Sequence, residues 1–309
     1  MISSFSAKKG TAMVRIRNLK KSYKGFPVLR GLNMDINDGD VYGFLGRNGC
    51  GKTTTMNIIC GVIPKDEGEI RLGDGRQITI GYLPESPSIF PYMTAREYIE
   101  YIAACTGYEG DIKKRTDEVL DIVGLRTAAD RRTKGFSRGM TQRLGMGAAI
   151  LKDPELLIFD EPTSALDPQG RSEVIAIIDR LKGLGSTIVL STHILSDVER
   201  VANRIGIVSG GIITEEGDMK TLLRKYGGDV ISMSVRNLTQ EQKIALLKVG
   251  FARAEFDNDK GVFRFGGFDT NAEDASKQLV KLAAENDMVI ESFTIGTATL
   301  DEVFRKVVG

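Results

Sequence analysis

Phe44-Leu45-Gly46-Arg47-Asn48-Gly49-Cys50-Gly51-Lys52-Thr53-Thr54 decides how the rest of the chain is read. Gly46, Gly51, Lys52 and Thr53 stand in register with G-x-x-x-x-G-K-[ST], the pattern of a phosphate-binding loop. Val41–Leu45 before it is apolar and strand-like, and Thr53–Cys60 after it reads as a helix stopped by Gly61. The glycines allow successive amides to turn inward onto a polyphosphate, and the helix N-terminus adds about half a positive charge. Lys52 can then reach the β- and γ-phosphates of ATP, and the Thr53 hydroxyl can ligate Mg2+. Arg47, Asn48, Gly49, Cys50 and Thr54 complete the stretch expected to contact nucleotide. Cys50 sits beside the helix N-terminus, so its thiol pKa is expected to be lowered, and its alkylation to block hydrolysis.

Downstream, Leu156-Leu157-Ile158-Phe159 is a continuous apolar run ending in Asp160-Glu161. Thr187-Ile188-Val189-Leu190 is a second such run. Strands covered on both faces look like this, and helical patterns near Arg171–Leu184 and Ile194–Ala202 alternate with them, so the class is α/β with a largely parallel sheet. At a strand end Asp160 can hold the Mg2+ shell, while Glu161 can orient or deprotonate the attacking water. Short strand-like runs at Met13–Ile16 and Val28–Ile36 precede the phosphate loop, and one helical pattern covers Thr94 to Val123.

The chain has 309 residues, enough for about two domains of roughly 150 each. Its 42 basic and 41 acidic residues argue against nucleic-acid binding through a basic surface. Three cysteines with no paired spacing indicate neither a disulfide framework nor a zinc site and fit a reducing compartment. The single histidine, His193, excludes a multi-histidine metal site. The N-terminus lacks a secretory core, and no apolar stretch approaches about 18 to 20 residues, so any membrane role is expected through a partner. Residues 1–12 read as a flexible tail, 13–228 as the nucleotide-binding domain with a helical insert at about 88–150, and 229–309 as an accessory domain. The order in that last part is strand, helix, strand, strand, helix, strand, helix, which predicts a small ferredoxin-like α+β domain.

With the phosphate loop and the acid pair in place, the chain resembles the ATP-binding-cassette ATPases. Phe136-Ser137-Arg138-Gly139-Met140-Thr141-Gln142 is similar to the family's signature segment, and Ser164-Ala165-Leu166-Asp167 to the loop after the Walker B strand, here the run ending in Asp160-Glu161. Ser191-Thr192-His193 resembles the switch-histidine segment, and Tyr23, 23 residues before Gly46, is placed like the aromatic that stacks on adenine. The resemblance implies a P-loop NTPase (RecA-like) core with an antiparallel β subdomain and a helical insert. It also implies two chains paired head to tail, each ATP lying between one phosphate loop and the other chain's Ser137, Gly139, Met140 and Asp167. Lys52, Glu161 and His193 become the catalytic set, and Thr53, Glu85 and Asp160 the Mg2+ ligands.

Three positions depart from the family pattern. Glu85 stands where glutamine is usual, which keeps an oxygen ligand and adds charge; Arg138 and Met140 replace a glycine and a glutamine. These, with the C-terminal domain ending Leu300-Asp301-Glu302-Val303-Phe304, resemble the ATPase subunits of exporters whose membrane permease is a separate chain. The protein is then expected in the cytoplasm, peripheral on the inner membrane face. Two alternatives are an importer ATPase with a ligand-sensing C-terminal domain, and a soluble ATPase acting on ribosomes or DNA.

Overall fold

A computed structural model describes residues 12–227, 229–258, 261–268, 271–297 and 299–308. Apart from Ala12, which opens the first strand, the expected tail lies outside the described residues. The chain divides into two compact units, 1–218 and 219–309.

The first unit is built on a six-stranded sheet in the order β5-β6-β7-β3-β8-β9. These strands are β3 (Val41–Leu45), β5 (Ile80–Leu83), β6 (Leu156–Asp160), β7 (Thr187–Thr192), β8 (Arg204–Ser209) and β9 (Ile212–Asp218). All neighbours pair in parallel except β9, which closes one edge antiparallel to β8. Every residue of β3, β6 and β7 is buried, which explains why they read as unbroken apolar runs. Because β6, β7 and β3 are adjacent and parallel, their C-terminal ends emerge side by side, the place where open α/β sheets bind ligands. That adjacency brings the acid pair, the histidine segment and the phosphate loop together.

A three-stranded antiparallel sheet of β1 (Ala12–Tyr23), β2 (Phe26–Asn37) and β4 (Glu67–Leu72) packs beside it in the order β2-β1-β4. Ile16, Leu19, Leu32 and Met34 of this sheet share one buried cluster with Tyr42 and Phe44 of β3. Met56 and Ile59 of α1 (Lys52–Ile59) join that cluster, so the helix behind the phosphate loop is held between the two sheets.

The insert holds α2 (Ala95–Cys105), α3 (Ile112–Ile122) and α4 (Arg138–Ile150). The single helical pattern expected for Thr94–Val123 is in fact two helices. Gly107 at φ +63° ends the first, and Asp111 starts the second by accepting a hydrogen bond from the Lys114 amide at 3.1 Å. Thr94 and Glu97 form a capping box on α2. Beyond the insert, α5 (Pro168–Gly183) and α6 (Leu195–Val201) flank β7.

The second unit begins at α7 (Met219–Gly227), about ten residues before the boundary at 228 suggested by the strand and helix order of the sequence. Met219 and Leu222 are buried, and α7 packs on α10 (Leu300–Val308). Its four strands are β10 (Asp229–Arg236), β11 (Arg253–Asp257), β12 (Val262–Gly266) and β13 (Val289–Thr297), antiparallel in the order β11-β12-β10-β13. The helices α8 (Gln240–Leu247) and α9 (Ala272–Glu285) cover Ile231, Met233, Phe263 and Phe265. In chain order these elements run strand, helix, strand, strand, helix, strand.

Candidate active site

The loop from Gly46 to Gly51 wraps the mouth of a cavity of about 420 Å3. Asn48, Gly49, Gly51, Lys52, Thr53 and Thr54 line its loop side. Glu85, Glu161, Ser164 and His193 face them, and Val28 closes one margin. Two glycines are required by geometry. Gly51 has φ +108°, and a Cβ there meets Leu29 Cδ2 at 2.5 Å; a Cβ on Gly46 meets Cys50 Sγ at 2.4 Å and the Val208 carbonyl at 2.6 Å.

Lys52 is buried, and its Nζ donates to the Gly46 carbonyl at 2.8 Å. The same Nζ lies 3.5 Å from Glu161 Oε1. The other carboxylate oxygen, Oε2, lies 2.8 Å from His193 Nδ1. Glu161 is thus held between the loop lysine and the histidine, with only its cavity side open; its residue exposure is 8% and that of the His193 side chain 50%. This aim depends on a left-handed backbone at Glu161, φ +48°, which costs a non-glycine residue on the order of 1–3 kcal/mol. The Glu161 amide is tied down by two acceptors on β7, the Ser191 carbonyl at 3.0 Å and the Ser191 Oγ at 3.1 Å.

Asp160 is buried behind the cavity lining, and one of its carboxylate oxygens accepts a hydrogen bond from the Ser191 hydroxyl. Arg47 is exposed, and Gly46 contributes its carbonyl to Lys52. Cys50 overturns one expectation. It packs against the buried apolar cluster behind the loop, and burial raises its thiol pKa, outweighing the neighbouring Lys52 charge and the helix terminus.

The other sequence-assigned residues lie outside this cavity lining. Tyr23 ends β1 with 45% exposure and faces the Lys21 ammonium at 5.6 Å. Ser137 caps α4 by accepting from the Met140 amide at 3.2 Å, and Asp167 caps α5 by accepting from Gly170 at 3.0 Å. The two helix starts touch at their glycines, since a Cβ on Gly139 comes within 3.5 Å of Gly170 Cα. Within one chain the signature segment is therefore a separate element from the Lys52–Glu161–His193 cavity. Ser164, Val28 and Ser191 were not assigned from sequence. A buried hydroxyl ending an apolar strand was the available signal for Ser191.

A family model described as "ABC transporter" matches residues 29–164. The linearmycin resistance ATP-binding protein LnrL of Bacillus subtilis (strain 168) is 34% identical over 244 residues, 76% of this chain and 78% of LnrL. The bacitracin transport ATP-binding protein BcrA of Bacillus licheniformis is 33% identical over 312 residues, covering 97% of this chain and 98% of BcrA. The chain belongs to the ATP-binding proteins of ABC transporters. Among solved structures, the ATP-binding cassette MJ0796, a dimer in a post-hydrolysis state with ADP and Pi, superposes with a TM-score of 0.61. It is 25% identical, over 67% of this chain and 99% of that one. This ABC protein is an ATPase, and the cavity gathers loop glycines, the Lys52 ammonium, the Glu161 carboxylate and His193 in one place. Among the described residues no helix is long and apolar enough to cross a membrane.

Proposed function

We propose that this ATPase works as a head-to-tail pair that drives a separate multi-span permease, and that the direction is export. The carrying observation is that Lys52, Glu161 and His193 converge on one cavity while Ser137 and Gly139 stand at the start of α4, outside that cavity's lining. Two copies facing each other bring the second feature over the first. The Ser137 hydroxyl still has its proton to donate after capping α4, and the α4 terminus favours an anion.

In each site the loop amides and Lys52 bind the phosphates, and Tyr23 offers its exposed face to the adenine. Glu161 takes the proton of the attacking water, and His193, bonded to Glu161, holds that carboxylate in place. The oxygen donors suit Mg2+: the Thr53 hydroxyl and Glu85 carboxylate line the cavity, and Asp160 lies just behind it with one oxygen fixed by Ser191. A Mg2+ ion held by these residues would supply positive charge against the β- and γ-phosphates.

The insert is the surface we assign to the permease. Phe90, Tyr92 and Tyr101 are exposed and cluster, with Phe90 centroids 5.7 Å from Tyr92 and 5.5 Å from Tyr101. The segment Asp111–Arg143 carries nine basic and five acidic residues, which suits an anionic inner membrane face. The protein would accordingly act in the cytoplasm, peripheral on that face. The relatives' names, bacitracin transport and linearmycin resistance, support an antibiotic as exported cargo. The match to BcrA along 97% of this chain includes the C-terminal unit, which supports a shared role for it in such exporters.

Light scattering on Glu161→Gln tests the pairing. With Mg2+ and ATP the variant should be a dimer retaining two nucleotides, and without nucleotide a monomer. A mass that stays monomeric at saturating ATP contradicts the proposal.

A further inference from the structure

We infer that Ser191 is a positioning residue for hydrolysis: its hydroxyl sets both acids at the end of β6. The inference rests on Glu161 being the hydrolytic base and adds a residue to that site.

Ser191 is fully buried at the end of β7, paired in register with Asp160. Ile188, Val189 and Leu190 before it are aliphatic and the whole strand is buried, so the Ser191 hydroxyl must find partners within the protein. It finds two. Its proton goes to a carboxylate oxygen of Asp160, and its lone pair accepts the Glu161 amide at 3.1 Å. One oxygen atom thereby fixes the rotation of the Asp160 carboxylate and braces the left-handed turn that aims Glu161 at the cavity. Two residues later the same chain segment supplies His193, which holds the Glu161 carboxylate from the other end at 2.8 Å. The tip of β7 therefore controls Glu161 at both its backbone and its side chain.

The two contacts are not equivalent, and this makes the role separable from folding. Without the hydroxyl, the Glu161 amide keeps the Ser191 carbonyl at 3.0 Å, so the turn retains an anchor. Asp160 loses its Ser191 donor. The defect should then appear in catalysis and in the metal requirement rather than in nucleotide affinity.

Ser191→Ala and Ser191→Thr in the full chain provide the test, with Glu161→Gln alongside. Ser191→Ala should lower kcat by about 10- to 100-fold, the usual share of a residue that orients a ligand, with KM for ATP changed less than about threefold. It should also need at least about tenfold more Mg2+ for half-maximal binding of a fluorescent ATP analogue, a readout independent of turnover. Ser191→Thr, which keeps the hydroxyl, should recover kcat to within about threefold. A wild-type kcat in Ser191→Ala overturns the inference, as does an unchanged Mg2+ requirement. If Ser191→Thr fails to accumulate as folded protein, the Mg2+ titration of Ser191→Ala decides alone. The underlying reading fails separately: a wild-type rate in Glu161→Gln removes the base itself, whereas an inactive Glu161→Gln beside a fully active Ser191→Ala removes only the role of Ser191.

Discussion

Glu161 is shared between two strands' worth of chemistry: its Oε2 lies 2.8 Å from His193 Nδ1, and its Oε1 lies 3.5 Å from Lys52 Nζ. The lysine arrives with the phosphate loop, the histidine with β7, and the acid with β6, so the parallel order of β6, β7 and β3 is what brings the three side chains together.

If Glu161 removes the water proton, Glu161→Gln should lower turnover by about 10²- to 10⁴-fold, the share of a general base. Affinity for ATP should stay within about threefold, since the loop amides and Lys52 are untouched. Single-turnover hydrolysis and equilibrium binding of a fluorescent analogue check the two halves.

Gly51 is left-handed at φ +108° and faces Leu29 at short range. Gly51→Ala should destabilise the protein by about 1–3 kcal/mol and remove most ATP binding, because the loop must open to admit the methyl group. Thermal denaturation and nucleotide titration measure both. A fully stable variant that binds ATP normally contradicts the loop geometry.

Cys50 should be a slow thiol. Burial raises its pKa, so less thiolate is present at pH 7.5 than for an exposed cysteine. Iodoacetamide followed by peptide mass spectrometry should label the exposed Cys105 first and Cys50 much later. Once Cys50 is labelled, the adduct crowds Gly46 and hydrolysis should stop.

Alkaline stability provides a further test. Burial, with a contribution from Asp160, pushes the Cys60 thiol up to about 12 from 9.0. Above pH 9 the unfolded chain loses this proton while the folded chain keeps it, so stability falls as pH rises from 9 towards 12. Tyr82, also pushed up to about 12 by burial, acts in the same direction from pH 10 upward. Cys60→Ala should lose less Tm than the wild type between pH 8 and 10.5.

What the sequence revealed depended on how local each signal is. The phosphate loop is contiguous, and β6 and β7 are buried on both faces, so loop, acid pair and strand identity could be read directly. The break at Gly107 was hidden because apolar positions on α2 and α3 continue almost in phase across it. Placing α7 with the second unit required seeing Met219 and Leu222 buried within it, a tertiary contact with no local signature. The thiol of Cys50 was misread because helix-end proximity is visible in sequence and burial is not. Ser191 escaped for a related reason. Its importance lies in the register that sets it opposite Asp160, and register belongs to the pair of strands rather than to either one.

A mixing experiment tests the pairing most directly. Lys52→Ala disables the phosphate loop of one chain, and Ser137→Glu places a negative charge where the other chain's γ-phosphate is expected. Each variant alone should be nearly silent, yet an equimolar mixture should regain hydrolysis, because mixed pairs contain one site with an intact loop and an intact opposing Ser137. A mixture as silent as its components, with mixed pairs verified by differential tagging, or a Ser137→Glu protein that hydrolyses ATP at the wild-type rate, contradicts the account.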